Sequence, residues 1–234
     1  MKRVTIRVPA TTANLGPGFD AFGCALSLYT DVTFEETECG LEITGCDEAY
    51  TGPDNLAYVS YCAVLASLSE EIRGVKIHID AHIPICRGLG SSAALLVAGA
   101  MGANVLRGNR LSTQGLLNIT NAMEGHPDNL APAFYGGLTA SMVDNGLPVT
   151  VNFPLHPEWD FIALIPDYQA IEGLIRTTGA GFCLSGAGPT LLCITRDKKL
   201  EDKLAQKLDA ITKANWTIIP LHVEFEGAKV LKAE

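Results

Sequence analysis

Polar and apolar positions alternate from the start of the chain. Arg3, Thr5 and Arg7 stand against Val4, Ile6 and Val8, which predicts a strand over Arg3–Val8. Pro9–Asp20 (PATTANLGPGFD) is dense in loop formers and reads as a loop. Asp31–Glu36 and Leu41–Thr44 read as a strand pair. Gly52-Pro53-Asp54-Asn55 opens a helix, with Asp54 or Asn55 as its N-cap and Leu56, Val59, Ala63, Val64 and Leu68 near helical spacing. Val75–Ile83 alternates again, with Val75, Ile77, Ile79 and Ala81 on one face and Lys76, His78, Asp80 and His82 on the other. Gly90–Leu106 is small and apolar almost throughout, as a buried helix would be. Leu111–Met123 predicts a second helix capped by Ser112 or Thr113. Gly136–Met142 and Pro148–Phe153 read as strands joined by a turn at Asp144-Asn145-Gly146.

The later part of the chain repeats these signals. Trp159–Ile165, Phe182–Leu184, Leu191–Thr195, Trp216–His222 and Val223–Val230 are strand-like, and Ile171–Thr177 is helical in pattern up to Gly179. Lys198–Ala214 is amphipathic, with Leu200, Leu204, Leu208 and Ile211 on one side. Prolines cluster at Pro154–Pro157, so two domains are expected, 1–155 and 156–234.

Composition narrows the function classes. Hydrophobic residues are 47% and charged residues 18% of the 234, as in a folded chain. A net charge of −9 without a basic cluster argues against nucleic acid as a partner. It also means that an anionic ligand needs local donors, because the overall field repels it. The N-terminal strand lacks the apolar core of a signal peptide, and the longest apolar run is far short of a membrane span. The seven cysteines are scattered with no C-x-x-C pair, which fits reduced thiols and a cytoplasmic setting better than a disulfide framework or a metal site.

The candidate chemistry centres on Ile83–Ala100, IPICRGLGSSAALLVAGA. A strand, a glycine turn and a helix start make an anion site: free N–H groups and the positive end of the helix dipole point the same way. Ser91 and Ser92 are placed to cap the helix, and one hydroxyl is placed to reach a metal ion. Gly90 is followed by Ser91 where a Walker A loop has lysine, and the spacing is not G-x-G-x-x-G. A plain glycine turn before a core helix fits the same residues. Asn14 and Asp20 flank a Gly-Pro-Gly loop, as ligand contacts or as turn caps. Glu124, Asp128 and Asn129 are three oxygen-bearing residues close together. Beside phosphates such groups hold Mg²⁺ or orient a hydroxyl; away from them they form a helix end with a capping box. Ser185-Gly186-Ala187-Gly188-Pro189-Thr190 is a second glycine turn between apolar runs.

These motifs together resemble one family. Pro84, Ile85, Cys86, Arg87, Gly88, Leu89, Gly90, Ser91, Ser92, Ala93 and Ala94 read P-x-x-x-G-L-G-S-S-A-A, which is similar to the phosphate loop of the GHMP kinases. SGAGPT at Ser185–Thr190 resembles their C-terminal glycine motif. The N-terminal VPATTANLGPGFDAFG and the central EGHPDNLAPA resemble the branch that acts on L-homoserine. The resemblance implies an α+β chain of two-domain architecture, a ribosomal-protein-S5-like N-terminal domain followed by a ferredoxin-like C-terminal one. It implies ATP-dependent phosphorylation of the homoserine hydroxyl, Mg²⁺, a cytoplasmic location and a homodimer. By the same resemblance the loop Pro84–Ala94 would wrap the phosphates, Asn55 would lie near the adenine, and Ser92 and Glu124 would hold Mg²⁺. Asn14, Asp20, Asp128 and Gly186 would bind the substrate. Asn129 would stand where mevalonate kinase carries a catalytic aspartate; an asparagine cannot accept a proton as a base.

One departure from the family is visible. After the strand near Ile165–Gln169 the family continues into a serine/threonine-rich turn, several helices and two arginines that grip the substrate carboxylate. Here Ala170-Ile171-Glu172-Gly173-Leu174 follows Gln169 directly and resembles the later helix before the second glycine turn; Arg176 matches neither arginine. Two readings stay open: an active kinase with a mobile gripping segment omitted at that junction, or a nucleotide-binding module without kinase activity. Another small-molecule GHMP kinase is a further alternative.

Overall fold

The computed structural model describes residues 2–16, 18–156, 158–166, 180–211 and 216–234. Eleven strands and five helices are placed among them, forming two sheets in a mixed α+β arrangement. The first sheet runs β11(Lys229–Ala233), β1(Arg3–Ala13), β2(Phe22–Thr37), β4(Gly74–Ala81), β3(Leu41–Thr44). The hairpin β5(Leu138–Asp144)–β6(Leu147–Phe153) joins it through β5 on β2. All pairs are antiparallel except β3 with β4.

Helices α1(Leu56–Ser67), α2(Ser91–Leu106), α3(Thr113–Glu124) and α4(Leu130–Tyr135) share the core of this sheet. The alternation in β1, β2 and β4 supplies that core with Val4, Ile6, Val8, Val32, Phe34, Ile77 and Ile79, all buried. Phe34 stacks on Tyr61 of α1 at 5.5 Å between ring centroids. Helix α2 is apolar almost all round because it is enclosed almost all round. Its glycines set how closely it packs. A Cβ on Gly99 would meet the Ala57 carbonyl oxygen at 2.0 Å, and one on Gly102 would meet the Phe34 ring at 2.6 Å.

The second sheet is antiparallel throughout, in the order β10(Trp216–His222), β7(Asp160–Pro166), β9(Leu191–Thr195), β8(Gly181–Leu184). Strand β7 divides its residues by the period of two. Phe161, Ala163 and Ile165 join the core of the first sheet, while Ile162 and Leu164 form a separate cluster with Leu200, Leu204 and Leu208 of α5(Leu200–Ile211).

Several expectations are corrected. Strand β1 does not end at Val8 but continues to Ala13, with a register shift between Pro9 and Ala10. The bulge takes up the proline without breaking the ladder. Strand β2 starts at Phe22, nine residues before Asp31. Strands β2 and β3 are not a pair: β4 lies between them. Ala81 is exposed at the end of β4. The N-cap of α2 is Gly90 rather than Ser91 or Ser92, and no side chain caps the helix. Val223–Glu226 is not a strand, and the last strand is Lys229–Ala233. The helix expected at Ile171–Thr177 and the junction at Gln169–Ala170 lie outside the described residues.

Candidate functional site

The site is built where the end of β1 meets the start of α2. In the approach to α2 every second residue is left-handed: Cys86, Gly88 and Gly90 have φ of 55°, 76° and 70°. Such alternation turns successive backbone N–H groups inward and makes a concavity for an anion. The loop ends at the uncapped N-terminus of α2, so the first-turn N–H groups are not taken by any side chain. Leu89 is fully buried and anchors the loop. Its carbonyl accepts the Thr11 N–H at 3.2 Å.

The second glycine turn lies directly behind the first. Ser185 Oγ donates to the Gly88 carbonyl at 2.6 Å and is hydrogen-bonded to Thr12 Oγ1 at 2.8 Å. A Cβ on Gly88 would stand 2.0 Å from the Ser185 carbonyl oxygen. Gly186 gives its N–H to the Ala13 carbonyl at 3.1 Å, so that donor is spent within the fold.

Two side-chain groups flank the cradle. Ser92 Oγ donates to Glu124 Oε2 at 3.3 Å, which brings together the first turn of α2 and the last residue of α3. Burial pushes the Glu124 carboxyl above the usual carboxylate range; the Ser92 hydroxyl and His126 act against it and Asp128 adds to it. Burial raises Asp128 as well, against His126 and the Asn129 N–H, with Asp20 adding to the rise. Asp128 Oδ1 accepts that N–H at 2.9 Å. The Asp128 backbone is packed on β2, where a Cβ on Gly23 would reach its carbonyl oxygen at 1.8 Å. Asn129, before α4, accepts a hydrogen bond from Thr11 Oγ1 at 2.9 Å.

Asn14 and Asp20 both have positive φ, and Asn14 Oδ1 accepts the Asp20 N–H at 2.8 Å, so they close one loop together. Asn55 is the N-cap of α1. It accepts the Ala57 N–H at 3.0 Å and donates to the Tyr50 carbonyl at 2.8 Å, so both ends of its carboxamide hold the helix start. Ile85 and Cys86 are exposed on the loop, and Ala93 and Ala94 are buried under it. Thr11, Thr12 and Ser185 received no role from the sequence. Their signal was burial of hydroxyls at a strand end and a turn, which needs the tertiary fold to be seen.

Residues 55–137 match the model of the GHMP kinase N-terminal domain, a span that includes the phosphate-loop segment, Glu124, Asp128 and Asn129. A homoserine kinase of Clostridium beijerinckii is 32% identical over 297 aligned positions, covering 98% of this chain and 99% of that protein. The chain belongs to the homoserine kinase branch of the GHMP kinase family. The 297 positions exceed the 234 residues here, so more than sixty of them have no counterpart in this chain. A homoserine kinase of Clostridium botulinum is 43% identical over 165 residues, 70% of this chain; the match spans 56% of that relative's length. The solved structure of a homoserine kinase from Cytophaga hutchinsonii is 22% identical and superposes with a TM-score of 0.85 over 99% of this chain and 98% of that one, which shows the GHMP kinase fold. Among the described residues no helix is long and apolar enough to cross a membrane.

Proposed function

We propose that this GHMP kinase transfers the γ-phosphoryl group of ATP to the hydroxyl of L-homoserine, in the cytoplasm. The observation that carries the reading is the uncapped start of α2 behind a loop of alternating left-handed residues, flanked by a hydroxyl–carboxylate pair. In this reading the N–H groups of Gly88–Ser92 cradle the phosphates. Asn14, Asp20 and Asp128 bind the amino and hydroxyl end of the substrate, with Gly186 and Asn55 toward substrate and adenine. Positioning and charge stabilisation carry the rate, as in other phosphoryl transfers. The homoserine oxygen bonds to the γ-phosphorus and the bond to the β–γ bridging oxygen breaks. ADP leaves with that electron pair, and the hydroxyl proton passes to a phosphoryl oxygen.

Among the described residues no three His, Cys, Asp or Glu side chains converge on a metal position. Ser92 and Glu124 still suit Mg²⁺, which takes few protein oxygens and fills its shell with phosphate and water. These two residues would hold the ion, which when bound neutralises phosphate charge.

A homodimer accompanies this reading. The hairpin β5–β6 exposes Met142, Leu147, Val149, Val151 and Phe153, and residues 138–155 carry one charged side chain, Asp144. A charge-poor apolar face of this kind suits an interface. The two domains are proposed to divide at residue 155.

The test is release of ADP from Mg-ATP with L-homoserine, galactose or mevalonate as acceptor. Homoserine-dependent release supports the proposal. ATP binding without release for any acceptor would favour a nucleotide-binding module, and release with another acceptor a different GHMP kinase.

A further inference from the structure

We infer that Thr11 is a positioning residue for Asn129: it holds the carboxamide so that its NH₂ group, and not its carbonyl, faces the phosphate cradle. The inference rests on the kinase reading above. Thr11 lies near the end of β1 and is 1% exposed. Its N–H is tied to the Leu89 carbonyl, which sets its side chain at the start of α2. From there Oγ1 donates to Asn129 Oδ1 at 2.9 Å. A Cβ on Gly90 would stand 2.0 Å from Thr11 Oγ1 and 3.2 Å from Asn129 Oδ1, so the three groups are packed in one cluster. The Asn129 backbone is fixed separately, by its N–H to Asp128 Oδ1.

The consequence is chemical. A carboxamide has one acceptor end and one donor end, and a free one can turn over. With the acceptor end held by Thr11, Asn129 offers two N–H donors at the mouth of an anion site. Donors aimed at a phosphoryl group gain strength as charge develops there, so they favour the transition state over the bound substrates. Asn129 in the same place with its carbonyl outward would repel that charge. A merely structural role is the rival account, since a buried hydroxyl needs a partner in any case.

The experiment compares Thr11→Val, Thr11→Ser, Asn129→Ala and the double variant Thr11→Val/Asn129→Ala, with L-homoserine and Mg-ATP. Thr11→Val keeps the volume and removes the donor. It is expected to lower kcat about tenfold, the scale of one lost hydrogen bond, with KM for ATP within about twofold. Thr11→Ser should restore kcat. In the Asn129→Ala background Thr11→Val should cost nothing further, because its effect runs through that carboxamide. An unchanged kcat in Thr11→Val, or the same loss in both backgrounds, overturns the inference.

A second readout needs no turnover. The Asn129 NH₂ pair in an ¹⁵N-correlated spectrum, identified by its loss in Asn129→Ala, should shift in Thr11→Val and return in Thr11→Ser. If the wild-type protein phosphorylates no homoserine, the kinase reading fails on its own. The amide signal then decides the latch: a pair unmoved by Thr11→Val overturns it.

Discussion

The two glycine turns have nearly the same ingredients and opposite duties. Gly88–Ser92 opens a helix, so its N–H groups have no intrahelical partners and remain for a ligand. Ser185–Thr190 joins two antiparallel strands, and four of its donors are consumed within the fold. Ser185 N–H goes to Thr190, Gly188 N–H to Ser185, Gly186 N–H to Ala13, and Ser185 Oγ to Gly88. The first turn is a cradle and the second is its buttress. What separates them is the element that follows each turn, not the count of glycines within it.

The largest effect should come from breaking the contact between the turns. Gly88→Ala puts a Cβ 2.0 Å from the Ser185 carbonyl at a φ of 76°, so clash and backbone strain add. We expect a loss of about 3 kcal/mol or more, read as a drop in Tm, together with loss of ATP binding. A Gly88→Ala protein with wild-type Tm would mean that the turns are not in contact in solution. Removing the oxygen pair of the cradle comes next. Ser92→Ala and Glu124→Gln should each lower kcat by about tenfold or more with little change in KM, since the charge they help hold develops in the transition state. Near-normal kcat in either variant would remove the Mg²⁺ assignment.

The buttress should respond more mildly. Ser185→Ala leaves the Gly88 carbonyl without its donor and should cost about 1–2 kcal/mol of stability, seen in denaturant unfolding, with kcat near normal. The smallest effect has the opposite sign. Burial raises the Asp128 carboxyl above its unfolded value, so its favourable contribution holds below the unfolded pKa and is lost as pH rises through the raised one. Above that raised pKa the fold carries a desolvated charge there. Asp128→Asn keeps an oxygen for the Asn129 N–H and should raise Tm by about 1–3 °C at pH 7, while lowering activity. That gain should shrink on acidification, as the wild-type carboxyl takes up its proton; a gain that grows on acidification would reverse the argument.

Elements with one strong local signal were legible in the sequence. Asn55 and Ser112, each one of two candidates, cap the helices expected to follow them, and Asn145-Gly146, both at positive φ, turn the β5–β6 hairpin. Elements governed by distant partners were not. Nothing near Pro9 shows that β2 waits to pair with it through a bulge, and nothing near Leu41 shows that β4 will come between β2 and β3. The site divides in the same way. The glycine-rich sequence before Ser91 announces a turn into a helix, but the Thr11–Asn129 and Ser185–Gly88 bonds join residues 118 and 97 positions apart. No local pattern encodes them.

The place of β11 has a consequence for the order in which the protein is made. Strand β1 pairs on one side with β2, which follows it closely, and on the other with β11, where Val4 meets Ala233. During synthesis β1 therefore emerges with one neighbour soon at hand and the other more than two hundred residues away. Until β11 emerges, that side of β1 stays unpaired, and pairing it must overcome the entropy of a loop of more than two hundred residues. An open rim of this kind is what chaperones cover and what other nascent chains can add to. Arrival of β11, rather than formation of the helical core, is then the event that covers β1, and β11 takes its place as the edge strand.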